Sequence, residues 1–391
     1  MDQWISVKDC TGCFSCLNIC ETNAIQVRID KLSGFFYPSI DQSKCHDCGY
    51  CRSICPIENR PTRSIPRDSD AFDYRNHCYA VKSLDVAVRK ASTSGGVFSE
   101  LATFVLSEGG KVYGAAYDSD MSVVHIGIDK IEDLYRLQKS KYVQSDICGI
   151  YNNILQDLIL GKTVFFVGCP CQVAGIYAFL QNDFPNFYTA EFICMGVNSP
   201  MAYRAWLSEL EEKYQSPIEY IWFKDKEKGW RQSPFSTRVK FHNGQSIVFD
   251  EKDNYFMKGY LQGGLFVRGS CTRCHFMGED RIGDIVIGDY WGRNTDLQDI
   301  DGTSVVILMR SHGKQLFGNI LNKIEYRKIA YDDVLINNPR YSTPIYEYPQ
   351  SKQFFEDLSS ESFSKVVRKH IGEEAEVCDF MKTVILPEKK T

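Results

Sequence analysis

The chain has 391 residues, of which 43% are hydrophobic and 24% charged, with a formal net charge of -5. That length suits two or three domains with cores of their own and excludes a disordered chain. The acidic balance excludes nucleic acid and anionic membranes as main partners, because neither attracts a negatively charged protein.

Met1 to Asp9 carry no apolar signal region, and no apolar run approaches the roughly 20 residues of a spanning helix. No membrane span is therefore expected, and the chain reads as cytoplasmic. The next segment holds Cys10, Cys13, Cys16 and Cys20, then Cys45, Cys48, Cys51 and Cys55 followed by Pro56. Between the two runs Ile25, Val27 and Ile29 alternate, and Gly34 leads into Phe35 to Tyr37, which predicts a hairpin over Ala24 to Ile40. Arg60 to Arg75, rich in Pro, Arg, Asp and Ser, reads as a linker, and a new domain begins near Cys78.

That domain opens with a strand at Tyr79 to Lys82. Ser92-Thr93-Ser94-Gly95-Gly96 then leads into a helix over Val97 to Leu106. A strand pair is expected over Lys111 to Asp129, a helix over Ile150 to Leu160, a strand at Thr163 to Val167, a helix after Cys171 and a strand at Tyr188 to Cys194. A helix follows from Pro200 to about Tyr214. Asn243-Gly244 centres a hairpin over Thr237 to Phe249. Strands at Ile282 to Ile287 and Ser304 to Met309, a helix after Gly313 and a frayed tail at Glu388 to Thr391 complete the order. Alternating strands and helices indicate α/β. The expected fold class is thus a small α+β, ferredoxin-like domain over 1–60, a linker over 61–77, a larger mixed α/β region over 78–385, and a tail over 386–391.

The two N-terminal runs repeat the spacing of bacterial two-cluster ferredoxins, in which three close thiolates wrap one cubane and the fourth cysteine of each run ligates the other cluster. Cys55 should therefore complete the first set and Cys20 the second, giving two 4Fe-4S clusters and an electron-transfer role. Zinc is the alternative, but it uses pairs of cysteines rather than three plus one. Glu21 stands where Pro often follows the fourth cysteine. Of the cysteines further on, four stand out: Cys171, Cys194, Cys271 and Cys274. By spacing alone Cys171 and Cys194 read as small buried hydrophobes. Cys271-x-x-Cys274, in a polar loop, resists that reading, and together the four would hold a third cubane.

Several ordered motifs carry a resemblance: Ser92 to Phe98, Lys139 to Ser145, Gly168 to Gly175, Cys194 to Pro200, Phe223 to Lys226 with Gly229-Trp230, Arg268 to Cys271 with Cys274, and Asp284 to Gly292. In these the chain resembles the beta subunit of coenzyme F420 hydrogenase/dehydrogenase, in its bacterial form with a fused two-cluster ferredoxin module. The resemblance implies an FAD-dependent oxidoreductase with a third 4Fe-4S cluster on Cys171, Cys194, Cys271 and Cys274. It departs at Met195, where the bacterial pattern usually has His, and at Cys169, where it usually has Thr.

For FAD the expected contacts are Ser94, Gly95 and Gly96 at a helix N-terminus facing the pyrophosphate, then Lys139, Lys141, Tyr142, Gln144 and Ser145, with Asp289 and Trp291 beside the ring. Lys224, Lys226, Lys228 and Arg231 near Trp230 suggest a face for an acidic substrate or ferredoxin, partly cancelled by Asp225 and Glu227. The expected partners are ferredoxin or another redox protein and a small organic substrate or coenzyme F420; homo-oligomerisation stays open. The rival functions are a true coenzyme F420 oxidoreductase subunit and a non-catalytic electron-transfer module. No residue stands out as the catalytic acid or base.

Overall fold

A computed structural model describes residues 9–63, 68–69, 72–227, 229–231, 236–292 and 294–371. The N-terminal cysteine runs each enter one short helix, α1 (Ser15–Asn18) and α2 (Tyr50–Ser53). Between them β1 (Ile25–Ile29) and β2 (Phe36–Ile40) pair antiparallel, with Ile25 opposite Ile40 and Ile29 opposite Phe36. This is the hairpin that the alternation at Ile25, Val27 and Ile29 predicts.

The larger region is built on an eight-stranded mixed sheet. Its strands are β3 (Cys78–Ser83), β4 (Lys111–Tyr117), β5 (Val123–Ile128), β6 (Val164–Gly168), β7 (Phe187–Phe192), β8 (Ile285–Asp289), β9 (Ser304–Leu308) and β10 (Ile324–Lys328). Their spatial order is β10-β3-β9-β8-β7-β6-β4-β5. The central β8, β7, β6 and β4 run parallel, and antiparallel neighbours close both flanks. The parallel centre explains the unbroken burial of Val164 to Gly168, since helices cover such strands on both faces. Those helices are α3 (Val97–Ser107), α4 (Ile150–Ile159) and α5 (Pro170–Leu180).

A second core gathers on α6 (Pro200–Tyr214) and a three-stranded antiparallel sheet made of Ile218–Phe223, Thr237–Phe241 and Ser246–Phe249. Ile218–Phe223 and the edge strand β10 were not expected from the pattern. In β10 only Ile324 is buried and the rest is exposed, so no inward alternation marks it. The strand expected from Ile282 begins only at Ile285, because Asp284 is drawn inward to accept from the Thr189 backbone N–H at 2.9 Å and from the Thr189 hydroxyl.

The cysteine module is seated on the larger region. Phe14, 1% exposed, belongs to the same core as Ile154, Phe166 and Ala174. The Ser15 hydroxyl donates to Gly175 O at 2.8 Å, and the Phe36 N–H donates to Gln144 Oε1 at 3.0 Å. Arg268, 1% exposed, donates to Cys10 O, Phe36 O and Gln144 Oε1, with its guanidinium 4.1 Å from the Tyr37 ring. The segment that composition marks as a linker is partly tied down: Arg60 donates to His275 O and Asp280 O, and buried Arg63 pairs with Asp183 and Asp284. The expected tail at 386–391 and Lys228 lie outside the described residues. Among the described residues no helix is long and apolar enough to cross a membrane.

Candidate functional site

Cys10, Cys13, Cys16 and Cys55 line one small cavity together with Thr11, Phe14 and Pro56. The backbone brings them there by a turn that each run makes in the same way. Phe14 (φ 58) and Gly49 (φ 74) cap α1 and α2 in the left-handed region, and the residues two before them, Gly12 (φ 70) and Asp47 (φ 52), adopt it as well. Cys51 feels the charge of Cys48, Cys20 and Cys45, after the larger effect of burial that raises its thiol. Burial, and then Cys13, push the Cys55 thiol up to about 12. Crowded, dry thiols resist ionising unless a bound cation shares their charge.

A second cavity of about 40 Å³ is lined by Cys171, Cys194, Cys271 and Cys274, with Cys169 and Arg281 beside them. Three separate places in the chain supply these cysteines. Cys169 caps α5 and Cys171 is its second residue, Cys194 follows β7, and Cys271 and Cys274 come from the turn at Gly269–Arg273 and the residue after it. Burial pushes Cys271 up to about 12 and Cys274 up to about 11. The Gly196 N–H donates to Cys194 Sγ at 3.3 Å. Cys169 Sγ lies 3.9 Å from Cys194 Sγ, so the departure at 169 stands against this set. Thr11 lines both this cavity and the first, which makes the Cys10–Cys13 loop a shared wall. Among the described residues no three His, Cys, Asp or Glu side chains gather as a single metal ion requires.

The third and largest cavity, about 250 Å³, is lined by the first turn of α3, the segment from Leu137 to Val143, the ends of β6, β7 and β8, and Tyr260. Six residues line both it and the second cavity: Ser145, Cys169, Gln172, Cys194, Gly196 and Val197. Of the residues expected from the resemblance, Ser94, Gly96, Lys139, Lys141, Tyr142, Ser145 and Asp289 line it. Gly95, Gln144 and Trp291 do not.

Each of those three has a visible reason. A Cβ at Gly95 would meet Val81 O at 2.3 Å, so this glycine permits a close backbone approach and not a ligand contact. Gln144 faces the cysteine module through Phe36 and Arg268. Trp291 stacks on Trp230 at 4.8 Å within the second core. Gly96 is required for its backbone, φ 91, at the N-terminus of α3.

The chemistry of the lining suits a large anionic, partly aromatic group. The free N–H groups at the start of α3 attract phosphate. Burial pushes Lys139 down to about 8 and Lys141 down to about 7, so a bound anion would restore full charge to both. Lys141 Nζ donates to Gln138 O at 2.8 Å and Arg136 O at 3.0 Å, and Lys139 Nζ lies 3.9 Å from the Trp222 ring. Among the described residues the positive face expected around Trp230 does not form. Lys224 is buried against Asp289, Lys226 donates to Arg89 O and Ser94 O, and Arg231 donates to Gly292 O. The charge pattern hid backbone and carboxylate partners that only the fold supplies.

The sequence reading missed His125. It lines the large cavity from β5, where it shares the buried face with Val123, so the strand's period of two was the available signal. Gln172 was passed over too; its amide donates to Ser145 Oγ, and its Oε1 accepts from the Cys169 N–H.

Residues 161–332 match the family described as the C terminus of the beta subunit of coenzyme F420 hydrogenase/dehydrogenase, and residues 9–59 match the 4Fe-4S dicluster domain. No curated protein matches the chain. A solved structure of the F420-reducing [NiFe] hydrogenase complex from Methanosarcina barkeri, studied by xenon derivatization, is similar over 75% of this chain and 90% of that one. The identity is 17% and the TM-score 0.44.

Proposed function

We propose that this chain, an iron-sulfur oxidoreductase module joining the C-terminal domain of the coenzyme F420 hydrogenase/dehydrogenase beta subunit to a 4Fe-4S dicluster domain, exchanges electrons with FAD and serves a small organic substrate. The observation that carries the reading is the sequence of shared walls: Thr11 borders the first and second thiol-lined cavities, and Cys194 borders the second and the large one. Bound FAD would convert the single electrons that iron-sulfur clusters exchange into the pairs that organic substrates take.

The chain's own groups have distinct tasks in this reading. Cys10, Cys13, Cys16 and Cys55 hold one cubane, and Cys20, Cys45, Cys48 and Cys51 hold its neighbour. Cys171, Cys194, Cys271 and Cys274 hold a third, against the wall of the large cavity. The α3 N-terminus with Lys139 and Lys141 binds phosphate, while Tyr142, Tyr260 and Met195 exclude water from the apolar part. Ferredoxin or another redox protein is the expected electron donor, and the division at 1–60 and 78–385 belongs to the same reading.

Anaerobically purified protein is expected to carry flavin and about twelve iron atoms, with Cys274→Ala lowering iron by about four. Reduced ferredoxin should then no longer bleach the flavin, although the N-terminal pair stays reducible. Colourless, iron-free protein bound to zinc would overturn the proposal. Added coenzyme F420 losing or gaining its absorbance would identify that deazaflavin as the organic partner.

A further inference from the structure

Among the described residues, each buried polar side chain on the wall of the large cavity has an internal partner, with one exception. The Ser94 hydroxyl donates to Thr303 O at 2.8 Å, Gln138 donates to Ser99 Oγ at 3.0 Å, and Asp289 accepts from Lys224. His125 is 5% exposed, and neither of its ring nitrogens has a hydrogen-bond partner. The ring stacks on Phe166, with centroids 5.7 Å apart. Gly114 and Ala115, on the neighbouring strand, leave space beside it.

A dry imidazole with both nitrogens unsatisfied is costly, and folded proteins keep such groups where a ligand completes them. Burial pushes His125 down to about 3; the Val167 backbone opposes this in part without making a bond of ordinary geometry, and the Lys141 charge adds to the lowering. The ring is consequently neutral at physiological pH, with one N–H donor and one bare nitrogen acceptor. We propose that His125 is a hydrogen-bonding anchor for the heteroatom edge of the flavin in the large cavity, offering it that donor or that acceptor. An isoalloxazine presents carbonyl oxygens and ring nitrogens, so it matches a neutral imidazole, whereas a phosphate would be better served by the α3 N-terminus.

This inference rests on the FAD reading, and one titration separates the two. FAD is added anaerobically to flavin-stripped, cluster-loaded protein, comparing wild type, His125→Phe, which keeps the stack on Phe166, and His125→Gln, which keeps a donor and an acceptor. The Phe variant is expected to bind FAD about tenfold more weakly, the loss of one hydrogen bond, with a shifted spectrum of the bound flavin. It should melt no lower than wild type without FAD, and the Gln variant should recover most of the affinity. Should the Phe variant not fold, His125→Leu takes its place in the same comparison. Wild type that binds FAD while the Phe or Leu variant binds equally well, with the same spectrum, overturns the anchor alone. Wild type that takes up no FAD overturns the cavity reading, and the anchor with it.

Discussion

The two cysteine runs fold alike but use opposite side chains. In both, the residue before the second cysteine and the residue after it have positive φ: Gly12 and Phe14 in the first run, Asp47 and Gly49 in the second. Both helices close with matching bonds, Leu17 and Asn18 to Phe14 O, and Arg52 and Ser53 to Gly49 O. Yet glycine and side chain have exchanged places. A Cβ at Gly12 would meet Gln144 Nε2 at 2.5 Å, while one at Gly49 would meet nothing within 4 Å. Phe14 bears the strain of its conformation because its ring fills the core shared with the large sheet. The first run is thus shaped by what it docks against, and the second only by its turn. Cys10, Cys13, Cys16 and Cys55 are buried, whereas Cys20, Cys45 and Cys51 are half-buried and Cys48 is exposed, so the second set lies nearer to solvent. In the proposed function this is the side at which electrons from a partner protein would enter.

Substitutions at matched positions should break this asymmetry or sharpen it. The largest effect is expected from Phe14→Ala, which empties a fully packed site and should cost about 3–5 kcal/mol. Thermal melting of the anaerobic protein measures it, and loss of the first cluster's electron paramagnetic resonance signal should accompany it. Gly12→Ala comes next, at about 1–3 kcal/mol, because Gln144 is held by Phe36 and Arg268 and cannot move aside freely. Gly49→Ala should be mildest, about 1 kcal/mol of backbone strain with both clusters retained. Equal losses at Gly12 and Gly49 would show that docking does not distinguish the two runs.

The same contrast governs what could be read from the sequence. Three of the four thiolates of each cluster come from cysteines three positions apart, so the spacing of Cys10 to Cys20 and Cys45 to Cys55 announced its chemistry locally, and the dicluster match agrees. Hairpins and core strands were readable too, because their alternation and turn residues are local. Lys224 and Lys226 misled for the converse reason: their partners, Asp289 and the carbonyls of Arg89 and Ser94, come from distant segments. Trp291 reads as a stacking platform in the sequence, but Trp230 occupies its face.

By itself, then, the order of amino acids determined the thiol-rich module, most of the α/β elements and the family motifs, all of which depend on short-range spacing. The resemblance grouped Cys171, Cys194, Cys271 and Cys274, but only the tertiary structure decided that a cavity lies between them, that Thr11 and Cys194 join neighbouring cavities, and that His125 reaches the largest of the three with both ring nitrogens unpartnered. The reason is physical. Convergence of remote side chains is set by which strands lie side by side in the sheet, and the order β8-β7-β6-β4-β5 is not written in any local pattern.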